Sequence, residues 1–425
     1  MKFIKQAVKK TYQKDQHLTD TVSAIINNVK KNGDQEIKKL SSEFDHVDLD
    51  HLRISRAEIL QAYREVDDQT IEDLRFAAGN ITYFAQNQLH CLKEMTIESP
   101  IAGVSLGHKL IPIQRTGSYV PGGRYPLPSS ALMSIIPAKV AGVSSVIACC
   151  PPSRRYKAIH PAVLVAMDLA GADEIYCVGG AQAIAAMAYG TESIKKTNLI
   201  VGPGNRFVTE AKRQVLGDVG IDGLAGPSEV LVLADETANP SFVAIDLLAQ
   251  AEHDPNTKCI LVSTDNGLIK AVEDRIASLF ETLETNEICK KSWENNGQII
   301  LAEDKGEMIR LSDEIAPEHL EIQTEDADAL SQKVTNFGSM FIGPYSPVAF
   351  GDYVSGTNHI LPTMETAKFA NGLWVGTFLK TAFLQKITEE GCKHLAPACT
   401  RLAEVEGLLA HKKSVEMRTA AVKEN

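Results

Sequence analysis

The chain lacks most of the features that would classify it at sight. Its eight cysteines, at 91, 149, 150, 177, 259, 289, 392 and 399, form no C-x-x-C pair and no dense framework. That excludes a zinc ribbon and a secreted disulfide scaffold. Most of them lie in apolar runs, "VIACC", "IYCV" and "KCILVS", so Cys149, Cys150, Cys177 and Cys259 read as strand-core residues rather than nucleophiles. Positive charge is also short: 43 basic against 54 acidic residues leave a formal charge of −11. Such a balance attracts neither phosphate backbones nor anionic lipid, and nucleic acid is not an expected partner. No segment approaches the ~20 apolar residues of a membrane span. The opening "MKFIKQAVKKTYQKDQ" has lysines but no apolar core of a signal peptide. These absences lead us to expect a soluble cytoplasmic protein.

What is present is an ordinary globular composition, 44% hydrophobic and 23% charged, over 425 residues. At roughly 100–200 residues per domain, that length predicts two or three domains. From about residue 18 to 92 apolar residues recur at helical spacing, as in "VSAIINNVKK" and "AEILQAYREV". Short β-rich runs then alternate with helical stretches: "GSYVPGG", "SSVIACC", "EIYCVGG", "NLIVGPG" and "EVLVLAD". The alternation restarts after Ala234 with "KCILVST", "GQIILAE" and "SMFIGP". Two α/β units with parallel sheets and crossover helices are the reading. The last ~50 residues lose strand character and end in "TRLAEVEGLLAHKKSVEMR", a helical arm without partners nearby in sequence. The expected architecture is therefore α/β: a helical segment over 1–95, Rossmann-like domains over 96–235 and 236–375, and a helical arm over 376–425.

Four stretches could carry chemistry. "APEHLEI" places Glu318 beside His319, a pair that is common on surface helices and means little alone. "DLLAQAEHDPN" puts Gln250 and His253 three apart near a helix end, on one face; a capped end before a turn explains that equally well. "FGDYVSGTNHILPT" is more polar than a connection needs and offers Asp352 and His359. "VGPGNRFVTEAK" is a strand, a Gly-rich bend and a helix start, the arrangement that presents amides to an anion. Neither it nor "YCVGGAQAIAAMAYG" has the full G-x-G-x-x-G spacing of a dinucleotide fingerprint.

Taken in order, "YVPGG", "PAKVAGV", "GGAQAIAA", "GPGNRFVTEAKRQV", "AGPSEVLVLAD", "AQAEHDPN", "APEHLEI", "GDYVSGTNHILPT" and "EGLLAHK" resemble the histidinol dehydrogenase family from about residue 20 onward. The resemblance implies a zinc-dependent, NAD-linked enzyme that oxidises a primary alcohol through an aldehyde to a carboxylate, with two NAD reduced. It implies His319 as the base for the hydroxyl proton and Glu318 as the base that activates water on the aldehyde. It implies zinc ligands at Gln250, His253, Asp352 and His411. Substrate contacts are implied for Ser129, Ser228, His359 and Glu406, and NAD contacts for Tyr119, Gln182 and Asn205. A homodimer in which each C-terminal arm completes the neighbour's site would account for the arm that bears Glu406 and His411.

One region departs from the histidinol-oxidising pattern. After "LPT" the chain reads "METAKFANGLWVGTFLKT", and Trp374, Gly376 and "GGRYP" look more like the sulfopropanediol dehydrogenase branch. Arg124, Lys380 and His394 add donors suited to a sulfonate. On that basis 2,3-dihydroxypropane-1-sulfonate is the expected substrate, with L-histidinol as the alternative. A zinc hydrolase would need the same kinds of residue, but Gly-rich bends on two α/β units favour a dinucleotide enzyme. Glu318 and His319 together with all four metal positions speak against a silent binding protein.

Overall fold

Asp15 opens the first helix by accepting the Leu18 amide, and Val22, Ile25, Ile26 and Val29 recur along its buried face. The computed structural model describes residues 1–8, 15–122 and 125–421. These fall into two units, one of residues 1–87 and 113–378, the other of residues 88–112 and 379–425. In the larger unit a short strand β1 (Lys2–Lys5) precedes α1 (Gln16–Leu40) and α2 (Arg56–Glu65). Ser55 and Glu58 start α2 with a reciprocal capping box. Helix α3 (Asp68–Cys91) follows and runs across the unit boundary.

The rest of the larger unit is two α/β lobes. The first holds β4 (Arg115–Tyr119), α4 (Pro128–Val140), β5 (Ser145–Cys150), α5 (Pro161–Leu169), β6 (Glu174–Cys177), α6 (Gly180–Tyr189), β7 (Leu199–Val201), α7 (Arg206–Val215) and β8 (Gly220–Ile221). Its parallel strands lie in the order β6-β5-β4-β7-β8. The second lobe holds β9 (Glu229–Ala234), α8 (Pro240–Ala251), β10 (Lys258–Ser263), α9 (Asn266–Leu279), α10 (Asn286–Asn296), β11 (Gln298–Leu301), α11 (Lys305–Ile315), β12 (His319–Gln323), α12 (Ala327–Ser331), β13 (Ser339–Ile342) and α13 (Val348–Tyr353). Its order is β11-β10-β9-β12-β13, the same winding, with β1 added antiparallel on β11. Strand residues are buried on both faces, as parallel sheets covered by helices require: β9 is buried throughout and Cys149, Cys150, Cys177 and Cys259 are core. Burial pushes the Cys177 thiol up to about 12, where it is inert. The α/β class with two Rossmann-like lobes is the architecture expected above.

Two features differ from the sequence reading. Strand β1 lies in a stretch with no alternation long enough to signal it. The smaller unit is a three-stranded antiparallel sheet, β14 (Leu379–Ile387) beside β3 (Val104–Pro112) beside β2 (Met95–Glu98), with α14 (Glu389–Val405) and α15 (Leu409–Ala421). The final ~50 residues therefore do contain a strand. "LKTAFLQKI" alternates only weakly and leaves Phe383 87% exposed, so its period is hard to separate from that of a surface helix. Gly407, at φ 75°, supplies the left-handed turn between α14 and α15. No helix among the described residues is long and apolar enough to cross a membrane.

Candidate active site

The first lobe offers a cradle at the carboxyl ends of its strands. Strand order reverses at β4, where β5 lies on one side and β7 on the other, which opens a crevice at the strand ends. Tyr119 closes β4 as a buried side chain, and its hydroxyl accepts the Gly180 amide at the start of α6, 3.1 Å away. Gln182 is buried two residues along. The bend after β7 has Gly202 at φ 111°, and a Cβ there would lie 2.1 Å from the Tyr119 carbonyl oxygen, so only glycine fits. Lys212, itself buried, donates to the Gly202 carbonyl at 3.0 Å and pairs with Asp222, which accepts the Gly202 amide at 2.7 Å. Asn205 then caps α7 by accepting the amides of Phe207 and Val208. The result is an edge braced by internal hydrogen bonds.

The second lobe gathers its ionisable groups at the other end, where β9 and β12 begin. His319 pairs in register with Val230, which sets the Glu229 peptide between the two candidate bases. The Glu229 amide donates to Glu318 Oε2 at 2.9 Å, and its carbonyl lies 3.0 Å from His319 Nδ1. A carbonyl can only accept, so the imidazole proton is on Nδ1 and Nε2 carries a lone pair. That Nε2 is buried, has no hydrogen-bond partner among the described residues, and lies 3.8 Å from Asp352 Oδ1. Burial holds the His319 imidazole below its ordinary value, with Asp352 pulling upward and His253 and His359 downward. Burial likewise pushes Glu318 well above the usual carboxyl range, opposed by the Glu229 amide and assisted by the charges of Glu229 and Asp352. A neutral imidazole can accept a proton as it stands, and a carboxyl of raised proton affinity is the stronger base once it is ionised.

The neighbouring elements aim at the same place. Helix α8 starts on the Asn239 cap and Pro240, and its last turn carries buried Gln250; the His253 amide closes back on the Gln250 carbonyl at 3.2 Å. Asp352 sits on α13. His359 Nδ1 lies 3.0 Å from the Asp352 carbonyl, and its Nε2 lies 3.3 Å from Ser130 Oγ on α4. Asn358 anchors the same loop by donating to the Met133 carbonyl at 2.7 Å. Gln250, His253 and Asp352 supply amide, imidazole and carboxylate, donor types that zinc accepts. Among the described residues no three His, Cys, Asp or Glu converge as a ligand set.

A family profile described as histidinol dehydrogenase matches residues 8–419. The chain belongs to the histidinol dehydrogenase family. It is 47% identical to the histidinol dehydrogenase of Methanococcus maripaludis over 94% of this chain and 92% of that one. It is 44% identical to a histidinol dehydrogenase homolog of Shouchella clausii over 98% of both. The crystal structure of histidinol dehydrogenase from Elizabethkingia anophelis superposes with a TM-score of 0.92 at 37% identity, covering 99% of this chain and 95% of that one.

The other residues singled out from sequence are placed as follows. Ser129 is buried at the start of α4, and Ser228 immediately precedes β9, its carbonyl accepting the Lys258 amide. Glu406 and His411 are exposed in the smaller unit, at the end of α14 and the start of α15. Lys380 and His394 are exposed in that unit too, His394 standing 3.9 Å from Glu390. Arg124 lies outside the described residues. Trp374 and Gly376 have a packing explanation: a Cβ on Gly376 would fall 2.1 Å from the Trp374 ring, so the glycine makes room for the indole. Sequence reasoning missed Ser130 and Glu229. Ser130 was signalled only by the doubled serine of "LPSS". The contribution of Glu229 comes from its main chain, which leaves no mark on residue type.

Proposed function

We propose that this member of the family is a zinc-dependent, NAD-linked dehydrogenase that oxidises L-histidinol through the aldehyde to L-histidine. The observation that supports it most is the buried His319 Nε2, unprotonated and unpartnered, next to a second buried base. When bound, NAD would accept hydride and zinc would polarise the substrate oxygen. Gln250, His253, Asp352 and His411 would hold the metal, and Tyr119, Gln182 and Asn205 the cofactor. His319 removes the hydroxyl proton at Nε2 as hydride leaves the carbinol carbon, and the Glu229 carbonyl keeps the other nitrogen protonated throughout. Glu318 takes a proton from water as that water adds to the aldehyde, giving the hydrate that a second hydride transfer requires. One alcohol thus consumes one water and two NAD. Ser129, Ser228, His359 and Glu406 would contact the substrate.

The order of substrates is reversed relative to the sequence reading. Relatives named histidinol dehydrogenase, similar over nearly the whole chain, favour L-histidinol. Trp374 and Gly376, which had favoured the sulfonate, are accounted for by packing. The sulfonate reading retains the "METAKFANGLW" stretch and Arg124. Parallel assays of NADH formation with L-histidinol and both enantiomers of 2,3-dihydroxypropane-1-sulfonate decide. A turnover preference for either sulfonate enantiomer would reject histidinol. NAD-independent hydrolysis would reject both.

The proposal includes a cytoplasmic homodimer with shared sites. Support comes from the arm itself, where Leu402, Val405, Leu408, Leu409 and Met417 are all exposed apolar residues. Co-expression of an arm-truncated chain with a His319→Ala chain, each inactive alone, tests it. Recovery of activity in the mixed dimer is expected, and its absence would reject shared sites.

A further inference from the structure

Strand β12 has a buried polar face. His319, Glu321 and Gln323 alternate with Leu320 and Ile322, yet all five are buried. Leu320 and Ile322 pack with β9, β10 and α11 in one apolar cluster, while the opposite side of the sheet packs α8, Phe341 and Val348. Glu321 therefore enters an apolar layer with a carboxyl group that neither proposed base nor metal position uses. Such a group is costly unless its bonds are satisfied.

They are satisfied by the two elements that carry the candidate ligands. Glu321 Oε1 accepts the Val348 amide, the first of α13, at 3.1 Å. Its carboxyl also hydrogen-bonds Asp246 of α8. The Gln323 side-chain amide donates to Glu321 Oε2 and to Asp246 Oδ2, each at 3.1 Å, and ties the pair together. Two carboxyl groups in contact share a proton rather than ionise together. Asp246 and Gln250 are one turn apart on the same face of α8, and Asp352 is on α13 four residues after Val348.

We propose that Glu321, bonded to Asp246 and to the Val348 amide, is a positioning residue that locks α8 and α13 onto β12 and so sets the spacing between Gln250, His253 and Asp352. It acts through the two elements and touches no reacting atom. The inference rests on the zinc reading above and assigns the support beneath that site. Rigid support of this kind is what holds ligands at bonding distance, and its loss typically costs about 10- to 100-fold in metal affinity.

The test is zinc affinity, measured by competition with a chromophoric chelator, on the full-length protein and its variants. Glu321→Leu and Asp246→Leu should each weaken zinc binding by about 10- to 100-fold. Glu321→Gln can still accept from Val348 and donate to Asp246, and should stay within about threefold of wild type. NAD affinity, read by ligand fluorescence, should be unchanged in all three, because Tyr119, Gln182 and Asn205 are in the other lobe. Circular dichroism of the metal-free proteins identifies a variant that fails to fold, and the companion variant then carries the test. His253→Ala is the control for the metal reading itself. Zinc lost in His253→Ala but kept in the folded Leu variants overturns the positioning role alone. Zinc kept in every variant overturns the metal reading and the positioning role together. Equal losses of zinc and NAD affinity would show general loosening and would also overturn it.

Discussion

The two lobes wind their sheets in the same order and use opposite ends of them. In the first, Tyr119, Gly180 and the Gly202–Asn205 bend lie at the carboxyl ends of strands, the usual place for a ligand in an open α/β sheet. In the second, Glu318 and His319 lie where β12 begins, and His253 follows the end of α8 on the way into β10. The carboxyl edge of the second lobe is closed. Asp235, just past β9, accepts from Thr237 and the Glu325 amide and pairs with Lys305 at 3.1 Å, while Lys305 also pairs with Asp326. The crevice that a Rossmann sheet would give to a nucleotide is filled by a carboxylate. Topology therefore does not say which edge works; the local side chains do.

If this division holds, the largest effect belongs to the second lobe's amino edge. His319→Asn keeps a donor for the Glu229 carbonyl but has no basic nitrogen. It should lower kcat for both oxidations by about 10²–10⁴-fold, read as steady-state NADH formation from alcohol and from aldehyde. An activity near wild type would remove His319 from the reaction. Glu318→Gln should separate the halves: with an aldehyde trap present, single turnover should give closer to one NADH per alcohol than two. Two NADH at the wild-type rate would mean that another group activates the water.

The carboxyl edge of the first lobe should respond more weakly and in binding only. Tyr119→Phe removes the acceptor for a buried amide and costs about 1–3 kcal/mol, which should appear in the NAD dissociation constant and thermal stability with little change in kcat at saturating NAD. A selective loss of kcat would place Tyr119 in the chemistry instead.

The smallest effect on turnover should come from the closed edge. Asp235→Asn should leave kcat unchanged and lower Tm by a few degrees. Burial pushes this carboxyl upward, but the bonds from Thr237, Glu325 and Lys305 overcome it and hold it below its ordinary value. A depressed carboxylate stabilises the fold above its unfolded value of about 3.9 and loses that contribution as pH falls through the folded one. The Tm difference between wild type and Asp235→Asn should therefore shrink below about pH 4. Glu318 has the opposite sign: its raised carboxyl favours folding at low pH and costs stability as pH rises through the folded value. Metal-free Glu318→Gln should match wild type near pH 4 and melt higher than wild type at pH 8.

Much of this was legible in residue order. The apolar runs marked eight of the fourteen strands among the described residues, because parallel strands buried on both faces read as unbroken Val, Ile, Leu and Cys. The smaller unit's sheet was not legible: β2 is four exposed residues, β14 is largely exposed and β3 partly so, with polar and charged residues breaking their alternation. Strand β12 misleads in a different way. "HLEIQ" has the alternation of a strand with one wet face, and both faces are buried. Polar residues there face functional elements instead of water, a distinction that spacing cannot carry. The pairing of Glu229's main chain with both bases is likewise set by strand register, which no residue type encodes.

Strand β1 has a consequence in time. Lys2 pairs with Leu301, and the Met1 amine reaches Glu303 and Glu307. At about 5–20 residues per second, a ribosome takes roughly 15–60 s to make the intervening stretch. Through that interval the first four-residue strand has no mate, while every strand of the first lobe finds its neighbours within the segment 115–221. A strand made before the first lobe is thus placed only after that lobe is complete.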